Sequence, residues 1–180
     1  MIYEPREDSF LIAEYVKRHC QNKNVLDVGT GSGILAETAI KNGAKDALAV
    51  DINKEAVDYC RKKGLKVIKS DLFENVAGKF DLIVFNPPYL PADEREDSES
   101  ALTTTGGEEG DEILIRFFSC VKSYLSKNGI VLVLISYLTP MKRILEIMRK
   151  KELGKKILGR KNIFMEKLEV WKVKRQSLKA

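Results

Sequence analysis

Several kinds of chemistry are ruled out by what this sequence has little of. One histidine, His19, stands in 180 residues. A histidine-rich metal site is therefore excluded, and histidine-based acid–base catalysis has a single candidate. That candidate sits near the end of an expected helix, where a cation suits the helix dipole. Cysteine is equally sparse: Cys20, Cys60 and Cys120 are widely spaced, odd in number and form no C-x-x-C pair. A disulfide framework and a thiolate zinc site are both disfavoured, and small buried thiols are the plain reading. No apolar run approaches the roughly 20 residues a membrane-spanning helix needs. The first ten residues, MIYEPREDSF, are polar and charged and contain no apolar core of a signal peptide. The expectation is a cytoplasmic protein without a membrane anchor.

The length suits a single domain over 1–180 with a sizeable core. The net charge of +5 conceals two opposed regions. Residues 141–180 carry 14 Lys/Arg and 4 Asp/Glu. Residues 91–112, PADEREDSESALTTTGGEEGDE, carry nine acidic residues and one Arg. Such runs are ordinarily solvated faces; a selective reading is an acidic lip that attracts a basic macromolecule.

The hydrophobic period alternates between helix and strand. Apolar residues at spacings of four predict a helix over 7–20, and NVLDVG (24–29) reads as a strand. A helix over 32–42 stops at Gly43, ALAVDI (47–52) is a second strand, and Asn53 can cap a helix over 53–63. KVIKSD (66–71) and FDLIVF (80–85) are further strands. Residues 110–127 read as one helix, with Leu114, Phe117, Phe118, Val121 and Leu125 on a single stripe. A fully apolar strand (129–136), a helix (140–151) and a terminal antiparallel pair complete the chain. Alternation of this kind predicts an α/β fold, a doubly wound Rossmann-like sheet, mostly parallel with an antiparallel C-terminal pair. Ligands of such folds sit beyond the carboxyl ends of the strands.

The residues at those ends are informative. After the first strand comes Asp27-Val28-Gly29-Thr30-Gly31-Ser32-Gly33. It is neither a Walker loop nor the dinucleotide G-x-G-x-x-G, because its third glycine falls one residue early. Asp51 closes the second strand, where a carboxylate can accept from both hydroxyls of a ribose. Asp71 closes the third, where it can accept from an adenine amino group while Leu72 packs on the ring. The fourth ends in Asn86-Pro87-Pro88-Tyr89. Asn86 offers a carbonyl acceptor, Pro87 leaves a free carbonyl on a restricted backbone, Pro88 stiffens the turn and Tyr89 supplies a flat face. The set is a rigid fork suited to a planar –NH2 group.

In order, DVGTGSG, VDIN, SDLF and NPPY resemble the class I S-adenosylmethionine-dependent methyltransferases that act on planar amino groups. YEPREDSF (3–10) and TTTGGEEG (103–110) resemble segments of the short HemK-type glutamine methyltransferases, in the archaeal and eukaryotic form. That family modifies the Gly-Gly-Gln loop of class-1 translation release factors. The resemblance implies S-adenosyl-L-methionine as cofactor. It places Tyr3, Pro5, Asp8 and Ser9 along the methionine end, and Asp27, Gly29, Thr30, Gly31 and Gly33 around the methionine part and ribose. Asp51 and Ile52 fall at the ribose, and Asp71 and Leu72 at the adenine. Asn86 and the Pro87 carbonyl would grip the acceptor amide, with Pro88 and Tyr89 shaping its seat. It also implies a class-1 release factor as protein substrate, and a small zinc-binding activator as a possible heterodimer partner. Competing readings are a methyltransferase for exocyclic amines of nucleic acid (adenine N6, cytosine N4 or guanine N2), a lysine acceptor on a basic protein, and a non-catalytic binding subunit with the same fold.

Overall fold

The computed structural model describes residues 2, 4–88, 107–163 and 166–176. Among the described residues five α-helices and seven strands follow in the order α1 (Glu7–His19), β1 (Asn24–Val28), α2 (Ile34–Lys41), β2 (Asp46–Asp51), α3 (Lys54–Lys62), β3 (Val67–Lys69), β4 (Phe80–Phe85), α4 (Glu112–Cys120), β5 (Leu125–Ser136), α5 (Met141–Lys150), β6 (Leu153–Ile163) and β7 (Glu166–Arg175). The strands form one sheet in the order β3-β2-β1-β4-β5-β7-β6. The first five are parallel, and β7 runs antiparallel between β5 and β6. This is the doubly wound, mixed sheet that the alternating periodicity predicts.

Apolar residues on successive strand positions point to opposite faces, so a fully apolar strand needs cover on both. Ile83 and Phe85 pack with Phe117, Phe118 and Ile144 on the face of α4 and α5. Leu82 and Val84 pack with Ile12, Val16, Leu35 and Ala39 on the face of α1 and α2. The rings of Phe85 and Phe117 lie 4.6 Å apart, so β4 is clamped directly beneath its carboxyl end. A smaller cluster of Ala36, Ala49, Val57 and Leu65 seats α3. Asn53 caps that helix, its side chain accepting from the Glu55 N–H at 2.9 Å.

One element departs from the sequence expectation. The helix predicted over 110–127 is α4, one 3-10 turn (Val121–Tyr124) and then strand from Leu125. Leu125 keeps its apolar role but pairs with Phe80 in the sheet. The β4–β5 register shifts between Phe80 and Leu82, and Gly129 sits at this irregularity. A Cβ there would come within 2.8 Å of the Phe80 carbonyl oxygen, so only glycine admits the close backbone approach. Among the described residues no helix is long and apolar enough to cross a membrane.

Candidate active site

Strand register alone assembles the site. Val28 pairs with Val50 on one side and Phe85 on the other, so Gly29, Asp51 and Asn86 emerge side by side. Asp51 pairs with Lys69, which brings Ser70 and Asp71 onto the same edge. The centre lies between β1 and β4, where the strand order reverses, the position at which open sheets of this kind bind ligands.

The glycine turn is built for close approach. Gly29, Gly31 and Gly33 have φ of 63°, 52° and 84°, all left-handed. A Cβ on Gly29 would touch the Phe85 ring at 3.4 Å, and one on Gly33 would come within 2.5 Å of Leu65 Cδ1. The early third glycine therefore serves as the left-handed entry to α2.

Two buried carboxylates hold this turn. Asp27 is fully buried; its Oδ2 accepts from Thr30 Oγ1 at 2.6 Å and from the Ala36 N–H at 3.0 Å. Its Oδ1 is buried and has no hydrogen-bond partner among the described residues. Burial pushes the Asp27 carboxyl up to about 7, against the hydrogen bonds from Thr30 and Ala36 that pull it down. Asp51 accepts from the Gly31 N–H through Oδ2 and from the Asn53 N–H through Oδ1, each at 2.8 Å. Burial raises its carboxyl too. A carboxylate oxygen accepts more than one hydrogen bond, so Asp51 braces the turn and keeps acceptor capacity for hydroxyl donors. Ile52 beside it is 44% exposed, an apolar surface open at the rim.

Asp71 accepts from Arg116 Nη2 at 2.9 Å, an ion pair that the sequence reading does not contain. Leu72 adopts φ 49°, a left-handed conformation unusual for a branched side chain, and packs partly against the core. The Ser70 hydroxyl donates to the Leu72 carbonyl at 3.0 Å and accepts from the Asn75 N–H, which holds the turn. Pro87 is buried and Pro88 half-buried. Tyr3 and Tyr89 lie outside the described residues, as do 91–106 of the acidic run. Within its described end, Glu109, Asp111 and Glu112 converge on Arg143 at 3.1, 2.6 and 3.6 Å.

Asn86 is tied to the first helix. Its Nδ2 donates to Asp8 Oδ2 at 2.8 Å across 78 residues of chain, and its Oδ1 is buried without a partner among the described residues. Asp8 and Ser9 are both buried in the first turn of α1, and Ser9 Oγ donates to Asp8 Oδ1 at 3.3 Å. Pro5 is half-buried just before them. Asp8 thus lies against the acceptor end of the site. The resemblance alone puts it with the cofactor's methionine end. Among the described residues no cluster of His, Cys, Asp or Glu is arranged to hold a metal ion. Cys60 lies under the glycine turn with its thiol pushed up to about 11, chiefly by burial, which makes it packing rather than a nucleophile.

Residues 7–157 match the model of the methyltransferase small domain. The chain is 42% identical over 164 residues to a Methanocaldococcus jannaschii protein provisionally named a protein N5-glutamine methyltransferase, covering 87% of this chain and 82% of that one. It is 32% identical over 171 residues to the human methyltransferase HEMK2, covering 84% and 79%. In structure it resembles Mtq2 of the E. cuniculi Mtq2–Trm112 complex, described as responsible for methylation of the termination factor eRF1. That match has a TM-score of 0.80 and 26% identity, and spans 97% of this chain and 99% of the other. The chain belongs to the methyltransferase small domain family, on its HemK-type branch. It is a methyltransferase with a Rossmann-like sheet.

Proposed function

We propose that this enzyme methylates the side-chain amide nitrogen N5 of the glutamine in the Gly-Gly-Gln loop of a class-1 translation release factor, with S-adenosylmethionine as donor. The observation that carries the reading is Asn86 Oδ1, a buried carbonyl acceptor without a partner among the described residues, at the end of β4 beside the glycine turn. A buried acceptor left unmet costs free energy, and a substrate N–H would satisfy it. The M. jannaschii relative is provisionally named a protein N5-glutamine methyltransferase and the Mtq2–Trm112 complex is described as responsible for methylation of a termination factor, which favours an amide over a nucleobase.

The residues present fit the donor. Asp51 offers acceptors to a ribose diol, Ile52 and Leu72 offer apolar surface to a flat base, and the unmet Asp27 Oδ1 lies beneath the turn. When bound, S-adenosylmethionine supplies an electrophilic methyl on a sulfonium. The chain's own task is to make a poor nucleophile competent. An amide nitrogen shares its lone pair with the carbonyl, so it attacks weakly unless it is held and turned. Asn86 Oδ1 accepts one N–H and the Pro87 carbonyl is its companion acceptor, which raises electron density on the nitrogen and fixes its direction. Positioning of this kind accounts for much of the acceleration, and solvent takes the proton the nitrogen gives up.

The same reading includes a small partner subunit, as in the Mtq2–Trm112 complex, of the zinc-binding activator type, and a cytoplasmic location beside the translation machinery. The test is transfer of labelled methyl to a purified release factor, with its Gly-Gly-Gln loop intact or its glutamine replaced, with and without such a subunit. Label that disappears with the glutamine is the expected result. Label retained after the replacement, or label entering structured RNA instead, would overturn the assignment.

A further inference from the structure

An asparagine side chain carries a donor at one end and an acceptor at the other, and a half-turn about its last torsion exchanges them. The shape of the cavity does not decide between them; the hydrogen-bond partners do. At Asn86 the decision falls to Asp8. A carboxylate only accepts, and Asp8 Oδ2 stands 2.8 Å from Asn86 Nδ2. The opposite orientation would set a carbonyl oxygen against a carboxylate oxygen at the same distance, in a site where Asp8 is only 5% exposed. Two facing lone pairs in a low-dielectric setting repel strongly. The carboxylate is itself held. Ser9 Oγ donates to its other oxygen, and the first turn of α1 favours an anion. Ile12, Ala13 and Val16 anchor the helix in the core, so Asp8 approaches from a rigid mount.

We propose that Asp8 is a positioning residue: it locks the Asn86 amide with Nδ2 turned toward the first helix, so that Oδ1 is the atom left for the N–H of the acceptor. This rests on the functional reading above, and it gives Asp8 a task distinct from cofactor contact.

The test compares full-length wild-type protein with Asp8→Ala and the near-isosteric Asp8→Asn. The first readout needs no acceptor: the Asn86 side-chain NH2 resonances in 15N–1H spectra, assigned by their loss in Asn86→Asp. The wild type is expected to show one of these protons shifted downfield and slow to exchange, and Asp8→Ala to lose both signatures. The second readout is kcat for the glutamine acceptor beside the affinity for S-adenosylmethionine. Asp8→Ala is expected to lower kcat about 100-fold with cofactor affinity unchanged, the scale of a misplaced reacting group. Asp8→Asn is expected to fall between, because Asn at this position can pair with either orientation of Asn86. Unchanged Asn86 resonances in Asp8→Ala, or a loss of cofactor affinity that accounts for the whole rate change, would overturn the proposal. If the wild type does not methylate a glutamine at all, the acceptor assignment fails, and the resonances still decide what Asp8 does.

Discussion

The carboxyl ends of β1 to β4 and the β6–β7 hairpin are parts of one sheet held to different standards. At the strand ends the backbone turns through three left-handed glycines and a left-handed Leu72. Two carboxylates are buried there, and Asp27 and Asn86 each keep a buried oxygen without a partner among the described residues. The hairpin is long and regular, pairing Leu153 with Arg175 through to Ile163 with Glu166 around one register shift. Several of its charged groups are met: Arg160 pairs with Glu169 at 2.8 Å, Trp171 donates to the same carboxylate at 2.8 Å, and Lys155 sits 3.5 Å over the Trp171 ring. The difference lies in the backbone and in what can reach the unmet atoms: Asn86 Oδ1 stands at a strand end where a substrate N–H can satisfy it, whereas Arg175 Nε of the hairpin is buried beside sheet backbone. The basic outer strand, with Lys155, Lys156, Arg160 and Lys161 exposed, suits an edge that must not pair with another chain.

Substitutions can break this contrast from either side. Trp171 is almost fully buried, and Trp171→Ala is expected to cost about 3–5 kcal/mol in chemical denaturation. The folded fraction of that variant is expected to bind S-adenosylmethionine normally; a weakened cofactor affinity would tie the hairpin to the site. Gly33→Ala adds a Cβ against Leu65 at a left-handed position, with an expected cost of about 1–3 kcal/mol and a clear loss of cofactor binding by calorimetry. Normal binding there would mean the turn is only structural.

Asp27 gives a smaller effect, spread over pH. Its folded carboxyl is raised to about 7 from the ordinary 3.8, so between these values the folded state holds a proton the unfolded state has released. Stability is therefore expected to fall as pH rises through that window, at about 1 kcal/mol per pH unit from this group. Asp27→Asn is expected to flatten the decline in urea melts from pH 4 to 7; an unchanged slope would assign it to other groups. Smallest of all, Lys156→Gln and Lys174→Gln on the exposed hairpin are expected to shift stability by no more than about 0.5 kcal/mol. A larger loss would show that these cations hold the fold.

The same contrast separates what could be read in the sequence from what could not. Period and strand-end motifs are local, and they placed the parallel strands, the helices and the row Asp27, Asp51, Asp71, Asn86 on one edge. Leu125 shows the limit of period: it continues the helical stripe of Phe117, Phe118 and Val121, yet its partner is Phe80, 45 residues away, and the strand claims it. The Asp8–Asn86 bond spans the first turn of the first helix and the end of the fourth strand, which no spacing rule connects. Arg116 on Asp71 is missed for the same reason, since an arginine on a helix face carries no sign of the strand end it will meet. The motif named the acceptor residue; only the fold shows how its amide is turned.

The most direct test sets the single-turnover methyl-transfer rate of Asn86→Ala beside its affinity for S-adenosylmethionine, with wild type as reference. The expected result is a rate lower by at least about 100-fold with cofactor affinity and melting temperature retained, the signature of a group that acts on the acceptor nitrogen alone. A rate near wild type, or a loss of cofactor affinity large enough to explain the deficit, would contradict the account.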